Sequence, residues 1–420
     1  MAGVEMTGTI EETTLATAKE SLRLLVYLSA QNTEDRSSGV HTFLLHLAEA
    51  LRSNTEVERP TEFFVASSGI ALEDSGTEGF YPLYYAANAV ATPMLTHTAE
   101  DYRRAATLLQ ESDCHGCLML GGEAQTLEVS AVAEMLRLVL NAKCDLVLPR
   151  YMVELDERLV NSSILYPLSR ALFGVDVRTP LAIDLAMSPR MLQRMGAAAA
   201  KTPAAAQATA LQWPVAEAAA AGFSLGEVLA GRREEPYPID LDFKEALAQV
   251  AGSLFSDIEA KAAYWQRNRP SPGVTLAQGT LRPSESANAV FEMHETASLV
   301  DSFRQAYANL HELWALVLPP NSLLGLKKLS LMPEDNFRMT DVLWVRVVYD
   351  FVLAHRLRTI NRGHLLGALT PLYLAWVASY LQQCRTAGEA QRSIDALALA
   401  FEADKPYLVS RWRWPDRFNP

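Results

Sequence analysis

Apolar positions follow two regimes along the chain. Up to about residue 148, short apolar runs alternate with stretches at helical spacing. Beyond about residue 286 only helical spacing remains. Leu22 to Ser29 (LRLLVYLS) is an almost continuous apolar run between polar flanks, the pattern of a strand buried on both faces. Phe63–Ala66, Gly116–Leu120 and Asp145–Leu148 read as further short strands, and 39–52, 99–111 and 128–141 as helices. Strands alternating with helices predict right-handed βαβ units, a mainly parallel sheet, and ligand binding at the carboxyl ends of the strands. The Ala-rich segment 203–220 predicts a helix on propensity. SLGEVLAG at 224–231 lacks the lysine and spacing of a phosphate loop and also reads as a helix. A long helix is expected over 243–266, then a Pro- and Gly-rich linker over 267–285. Helices follow near 286–317, 340–358, 363–384 and 386–403.

The expected organisation is therefore a loose polar tail (1–20), an α/β domain (21–270) and an all-helical C-terminal domain (271–420). The longest apolar run, Leu365–Leu381, is interrupted by Thr370, Pro371 and Ser379 and reads as a buried helix rather than a membrane span. Trp412 and Trp414, with Arg411 and Arg413 beside them, alternate at strand period. They suit cation–π packing onto the domain interface, or a carbohydrate-stacking platform.

Composition narrows the function classes. The 420 residues carry a formal charge of −12, with 49% hydrophobic and 20% charged residues. That balance argues against a nucleic-acid binder or a protein docked electrostatically on anionic lipid. The acidic, Thr-rich start lacks the basic residues of a secretory leader, so a cytoplasmic protein is expected. Cys114 and Cys117 form a C-x-x-C, open to a redox or zinc reading or to packing as small hydrophobes. His355, beside Arg356 and Arg358, reads as part of a solvated helix face.

Several segments, in order, resemble one family. They are CDLVLPRY at 144–151, NSSILYPLSRALFG at 161–174, RTPLAIDLAMS at 178–188, WVRVVYDF at 344–351, HLLGALTPLYL at 364–374 and FEADKPYLVSRW at 401–412. This series resembles the GT-A-fold glycosyltransferases related to glucosylglycerate and mannosylglycerate synthases. The resemblance implies a GT-A-like (Rossmann-like) sheet domain that takes a nucleoside-diphosphate sugar at the sheet edge. It also implies hexose transfer to a small hydroxylated acceptor such as a glycerate-like acid, and Mg²⁺ or Mn²⁺ offsetting the diphosphate charge.

By the same resemblance Ser29, Asn32 and Arg178 fall on the nucleotide-sugar side, Arg150 and Tyr151 on the acceptor side, and Asp184 at the catalytic position. The chain departs from the family pattern at the metal. Gly121-Gly122-Glu123 stands where the family has Asp-x-Asp. The loop near 232–239 has Glu234 and Glu235 where the family has a histidine. Ala182-Ile183 replaces a Gly-Gly, and Leu211-Gln212-Trp213 stands for Asp-Ile-Trp. Metal ligands are thus expected from Glu123, Glu234 and Glu235, although Glu123 also reads as an exposed loop carboxylate. Asp184, in an apolar stretch, is either paired with Arg150, Arg170 or Arg178, or accepts from a sugar hydroxyl. Against transfer stands a second expectation, a catalytically silent homologue acting as a binding or partner subunit. The helical C-terminal domain suggests a homodimer by analogy.

Overall fold

The computed structural model describes residues 21–29, 37–52, 61–68, 79–86, 96–122, 124–151, 159–231, 243–267, 274–277, 296–384 and 386–415. The expected tail over 1–20, most of the expected linker, and Asn32, Glu123, Glu234 and Glu235 lie outside the described residues. Among the described residues, eight strands form one sheet in the order β3-β2-β1-β4-β6-β5-β7-β8. They are β1 (Leu22–Leu28), β2 (Thr61–Ser67), β3 (Phe80–Tyr84), β4 (Gly116–Leu120), β5 (Leu146–Arg150), β6 (Leu185–Met187), β7 (Leu225–Leu229) and β8 (Thr275–Ala277). All neighbours pair in parallel except β6, which runs antiparallel to both β4 and β5. This is the mainly parallel α/β sheet the alternating pattern predicts.

Strand alternation sorts side chains onto two faces. Leu24, Val26, Leu28, Leu118 and Leu120 pack under α1 (Ser37–Arg52) and α3 (Val129–Leu140). Leu25, Tyr27, Cys117, Met119 and Leu146 face the other way. There they meet α2 (Ala99–Glu111), α4 (Tyr166–Phe173), α5 (Pro189–Ala199), α6 (Pro214–Ala221), α7 (Phe243–Ala260) and α8 (Ala262–Trp265). The same apolar cluster continues into α9 (Ala297–Ala315), α10 (Pro320–Ser330), α11 (Asp341–Leu357), α12 (Arg362–Gln383) and α13 (Ala387–Arg413). Sheet and helical region are therefore joined by shared core rather than by a chain crossing alone. α12 is long and apolar enough to cross a membrane by length and composition, and 78% of its most apolar stretch is buried inside the protein.

Five expectations are corrected. SLGEVLAG is strand β7, because it lies between β5 and β8 and its backbone bonds go to them. The Ala-rich stretch is not one helix. After a single turn at Ala204–Ala206, Leu211 bridges Thr98, and α6 begins only at Pro214. Proline at 203 and 214 and these tertiary bonds override alanine's propensity. The Trp412 region is the last turn of α13, not a strand. Trp412 packs edge-on to Trp265 at 5.0 Å, under the guanidinium of Arg356 at 4.2 Å, while Trp414 is exposed. His355 is buried edge-on to Phe255 instead of solvated, and burial lowers its pKa to about 4. The helix reverses after it because Arg358 adopts a left-handed conformation, φ 54°. Strand β8 also falls inside the expected linker, where no strand pattern was legible.

Candidate functional site at the sheet edge

The parallel strands bring Ser29, Gly121 and Tyr151 to one edge, each directly after β1, β4 and β5 respectively. Because β6 runs the opposite way between β4 and β5, its first end lies at that same edge and delivers Asp184 there. Ser29 N–H donates to the Leu120 carbonyl at 2.9 Å, tying the ends of β1 and β4. Asp184 is 1% exposed. Its Oδ1 accepts from Gly121 N–H at 3.0 Å, and its Oδ2 accepts from the Tyr151 hydroxyl. A buried carboxylate needs such donors to offset lost hydration. Arg170 and Arg178 donate to Glu402 and Asp395 of α13, at 2.7 and 2.6 Å. Two of the arginines considered as partners of Asp184 thus tie the edge to the helical region.

Ile183 lies directly over Gly121. A Cβ added at Gly121 would come within 2.8 Å of Ile183 Cδ1 and 3.1 Å of its Cβ. Glycine here accommodates a neighbouring side chain, and Ile183 is itself buried. The Ile183 carbonyl accepts from His97 Nε2 at 2.7 Å, which puts the ring proton on Nε2. Burial holds His97 below its usual range and therefore neutral. Behind β1, the Tyr27 hydroxyl donates to Asp101 at 2.8 Å, Tyr85 stacks on Tyr27 at 5.0 Å, and Arg104 lies 4.5 Å over Tyr85. Sequence reasoning did not single out His97 or Tyr85. Nothing in their local pattern distinguishes them, since their partners come from distant segments.

The Arg178 segment is held from three sides. Its N–H donates to Glu227 Oε1 at 2.6 Å, its carbonyl accepts from Asn161 Nδ2 at 2.7 Å, and its guanidinium lies 4.5 Å over the Tyr166 ring. The Arg178 side chain is 19% exposed. Tyr166 donates to Asp176 at 2.7 Å and accepts from Arg170 at 3.0 Å, so its hydroxyl is satisfied within the fold. Arg150 is half-buried at the end of β5. Glu227, on β7, is the buried acid the helical reading missed; a lone carboxylate in an apolar run was its only signal. Burial pushes its pKa up to about 7, against the opposing bond from Arg178 N–H and the charges of Arg150 and Arg178.

That shift predicts a pH dependence. Between about pH 4.5 and 7 the folded chain holds a proton on Glu227 that the unfolded chain releases. Its contribution to stability is fully present below about 4.5 and is lost as pH rises through about 7. The change is on the order of 3 kcal/mol. Glu227→Gln should remove this part of the slope when urea unfolding is followed from pH 4.5 to 8; an unchanged slope would place the ionisation elsewhere.

Among the described residues, no three His, Cys, Asp or Glu side chains converge on a point that could hold a metal ion. The expected ligands Glu123, Glu234 and Glu235 are outside the described residues. Asp184, the described acid at this edge, already takes two donors, so the described side chains do not make a divalent-ion site. Cys114 and Cys117 are buried free thiols; burial pushes Cys114 up to about 12 and raises Cys117 well above the usual thiol range. Both remain protonated, the unreactive form, at neutral pH.

No protein-family model matches the chain, and no curated protein sequence does. Among solved structures, it is similar to glucosyl-3-phosphoglycerate synthase from Mycobacterium tuberculosis. The form in complex with Mn²⁺ and UDP-glucose shares 16% identity at a TM-score of 0.39, over 65% of this chain and 84% of that one. The form with Mn²⁺, UDP and glucosyl-3-phosphoglycerate shares 14% at 0.35, over 69% and 90%. A further structure described as a mycobacterial protein shares 14% at 0.33, over 65% and 80%.

Proposed function

We propose that the chain takes a nucleoside-diphosphate hexose at the carboxyl edge of its sheet and passes the hexose to a small hydroxylated acid. The observation that supports this is the convergence of Ser29, Gly121, Tyr151 and Asp184 at that edge. These positions belong to separate segments whose order resembles the glycosyltransferase family. In this reading Ser29 and Asn32 meet the nucleotide, and Arg150 and Tyr151 meet the acceptor. Arg178 holds the loop that borders the sugar. Asp184, expected at the catalytic position, acts by orienting the Tyr151 hydroxyl and the Gly121 amide. Glu123, Glu234 and Glu235 are the residues that would hold Mg²⁺ or Mn²⁺, which would offset the diphosphate charge.

One observation favours a second reading, a silent homologue that binds without transferring. Ile183 fills the space over Gly121, where a sugar would need close approach to backbone, and Asp184 is enclosed. Thermal unfolding with millimolar UDP-glucose and other nucleoside-diphosphate sugars, with and without Mn²⁺, separates the outcomes. Ligand at ten times its dissociation constant should stabilise by about 1.4 kcal/mol. Stabilisation together with nucleoside-diphosphate release in the presence of phosphoglycerate supports transfer. Stabilisation without release supports the silent homologue, and Ile183→Gly should then tighten binding. No stabilisation by any sugar nucleotide sinks both readings.

A further inference from the structure

A groove of about 700 Å³ opens on the helical region, between α10, the start of α11 and the end of α13. Four of its lining residues are basic: Lys328, Arg338, Arg346 and Arg411. This is unusual in a chain of net charge −12. The four are not equally committed. Arg346 pairs with Asp404 at 2.6 Å and lies 3.6 Å over the Tyr407 ring. Arg411 gives its Nη1 to Asp350 at 2.5 Å and to the Tyr407 hydroxyl at 2.8 Å. Its Nε is buried without a partner. A guanidinium carries five N–H donors in a planar fork, so this wall retains unused donors. Lys328 and Arg338 are exposed and form no close salt bridge among the described residues, although Arg338 acts on the Asp341 carboxylate at longer range. Between the cations the lining is mixed: Leu329 on α10, Met332 in the following turn, and Val342 and Leu343 on α11 supply apolar surface, while Asn321, Ser322 and Thr340 add polar groups. Val342 is 66% exposed, although an apolar side chain at a groove mouth is better covered.

From this we infer that the groove is a second ligand site, for a small amphipathic anion. Its phosphate or carboxylate group meets Lys328, Arg338 and the free donors of Arg411, and its apolar body lies against Leu329, Met332, Val342 and Leu343. Cations alone would accept any anion, and an apolar trough alone would accept any hydrocarbon; the two together select a molecule that has both parts. The groove is built wholly from the helical region and does not depend on the reading of the sheet edge.

The test is calorimetric titration of the full chain with hexyl phosphate, beside inorganic phosphate and hexanol as the separate halves. Hexyl phosphate should bind at least about tenfold more tightly than either half, a difference of about 1.4 kcal/mol. Raising salt from about 0.02 to 0.2 M should weaken binding, because the exposed cations become screened. Lys328 and Arg338 are exposed, so Lys328→Gln with Arg338→Gln leaves the fold intact and should weaken hexyl phosphate about tenfold or more. The same variant should respond to sugar nucleotides as the parent chain does. The inference is overturned if hexyl phosphate does not bind, if it binds no better than inorganic phosphate, or if the double variant binds it equally well.

Discussion

Replacing Trp344 with alanine should destabilise the chain by about 3–5 kcal/mol, the range for truncating a fully buried tryptophan. Trp344 on α11 has no exposed surface. Its indole N–H donates to the Ser163 carbonyl at 3.0 Å, in the turn that leads into α4. Its ring stacks with Trp376 of α12 at 6.2 Å, and Trp376 stacks in turn on Tyr380 at 5.0 Å. One side chain thus fastens the helical region to the sheet half, while the apolar cluster runs unbroken through both. Trp344→Phe keeps most of the volume but leaves the Ser163 carbonyl without its donor, so about 1–3 kcal/mol is expected. Urea unfolding followed by circular dichroism and by tryptophan fluorescence should give coincident single transitions for both variants. Two separated transitions, or a loss below about 1 kcal/mol for the alanine variant, would mean that the halves stand independently.

The second large effect is expected at Asp184. Alanine there removes the acceptor of both the Gly121 N–H and the Tyr151 hydroxyl, each in a buried setting. Leaving a buried donor unsatisfied costs about 1–3 kcal/mol, so Asp184→Ala should lose roughly 2–5 kcal/mol. Asparagine can still accept from Gly121 N–H through its oxygen and donate to the Tyr151 oxygen, with the hydroxyl turned. Asp184→Asn should therefore lose less than half as much. The pair separates two roles that coincide in one residue. If Asp184 only braces the edge, the asparagine variant keeps sugar-nucleotide binding and any transfer activity. If its charge sets the orientation and acidity of Tyr151 during transfer, the asparagine variant folds but loses turnover and changes its pH profile. Equal, small losses for both substitutions would show that the carboxylate is not the clasp described here.

How much of this was legible depended on where each residue finds its partners. β4 is a fully buried central strand and β1 is buried from Leu24 onward, so their sequences are apolar apart from Arg23 and give themselves away. β6 is three residues long, and its identity as a strand comes from hydrogen bonds to β4 and β5. β7 carries Glu227 and two leucines and follows an alanine-rich stretch, all good helix formers; only its place beside β5 makes it extended. β3 is an exposed edge strand whose backbone pairs with β2. At the site, Asp184 stood out because an acid inside PLAIDLAM has to be satisfied somewhere. Its acceptance of Gly121 and Tyr151, rather than an arginine alone, follows from the antiparallel insertion of β6. His97 and Tyr85 had no such flag.

By itself, the sequence determined the alternation of strands and helices, the passage to an all-helical second half, and the segments that bear the family resemblance. Local burial leaves a local periodicity, and periodicity is what a chain displays without its neighbours. Only the tertiary structure decided the strand order, the reversal of β6 that carries Asp184 to the binding edge, the seating of Ile183 over Gly121, and the gathering of four cations around one groove. Each is a relation between residues far apart in the chain. Such relations are set by which backbone groups and apolar faces find one another on folding, and they leave no repeat in the linear order.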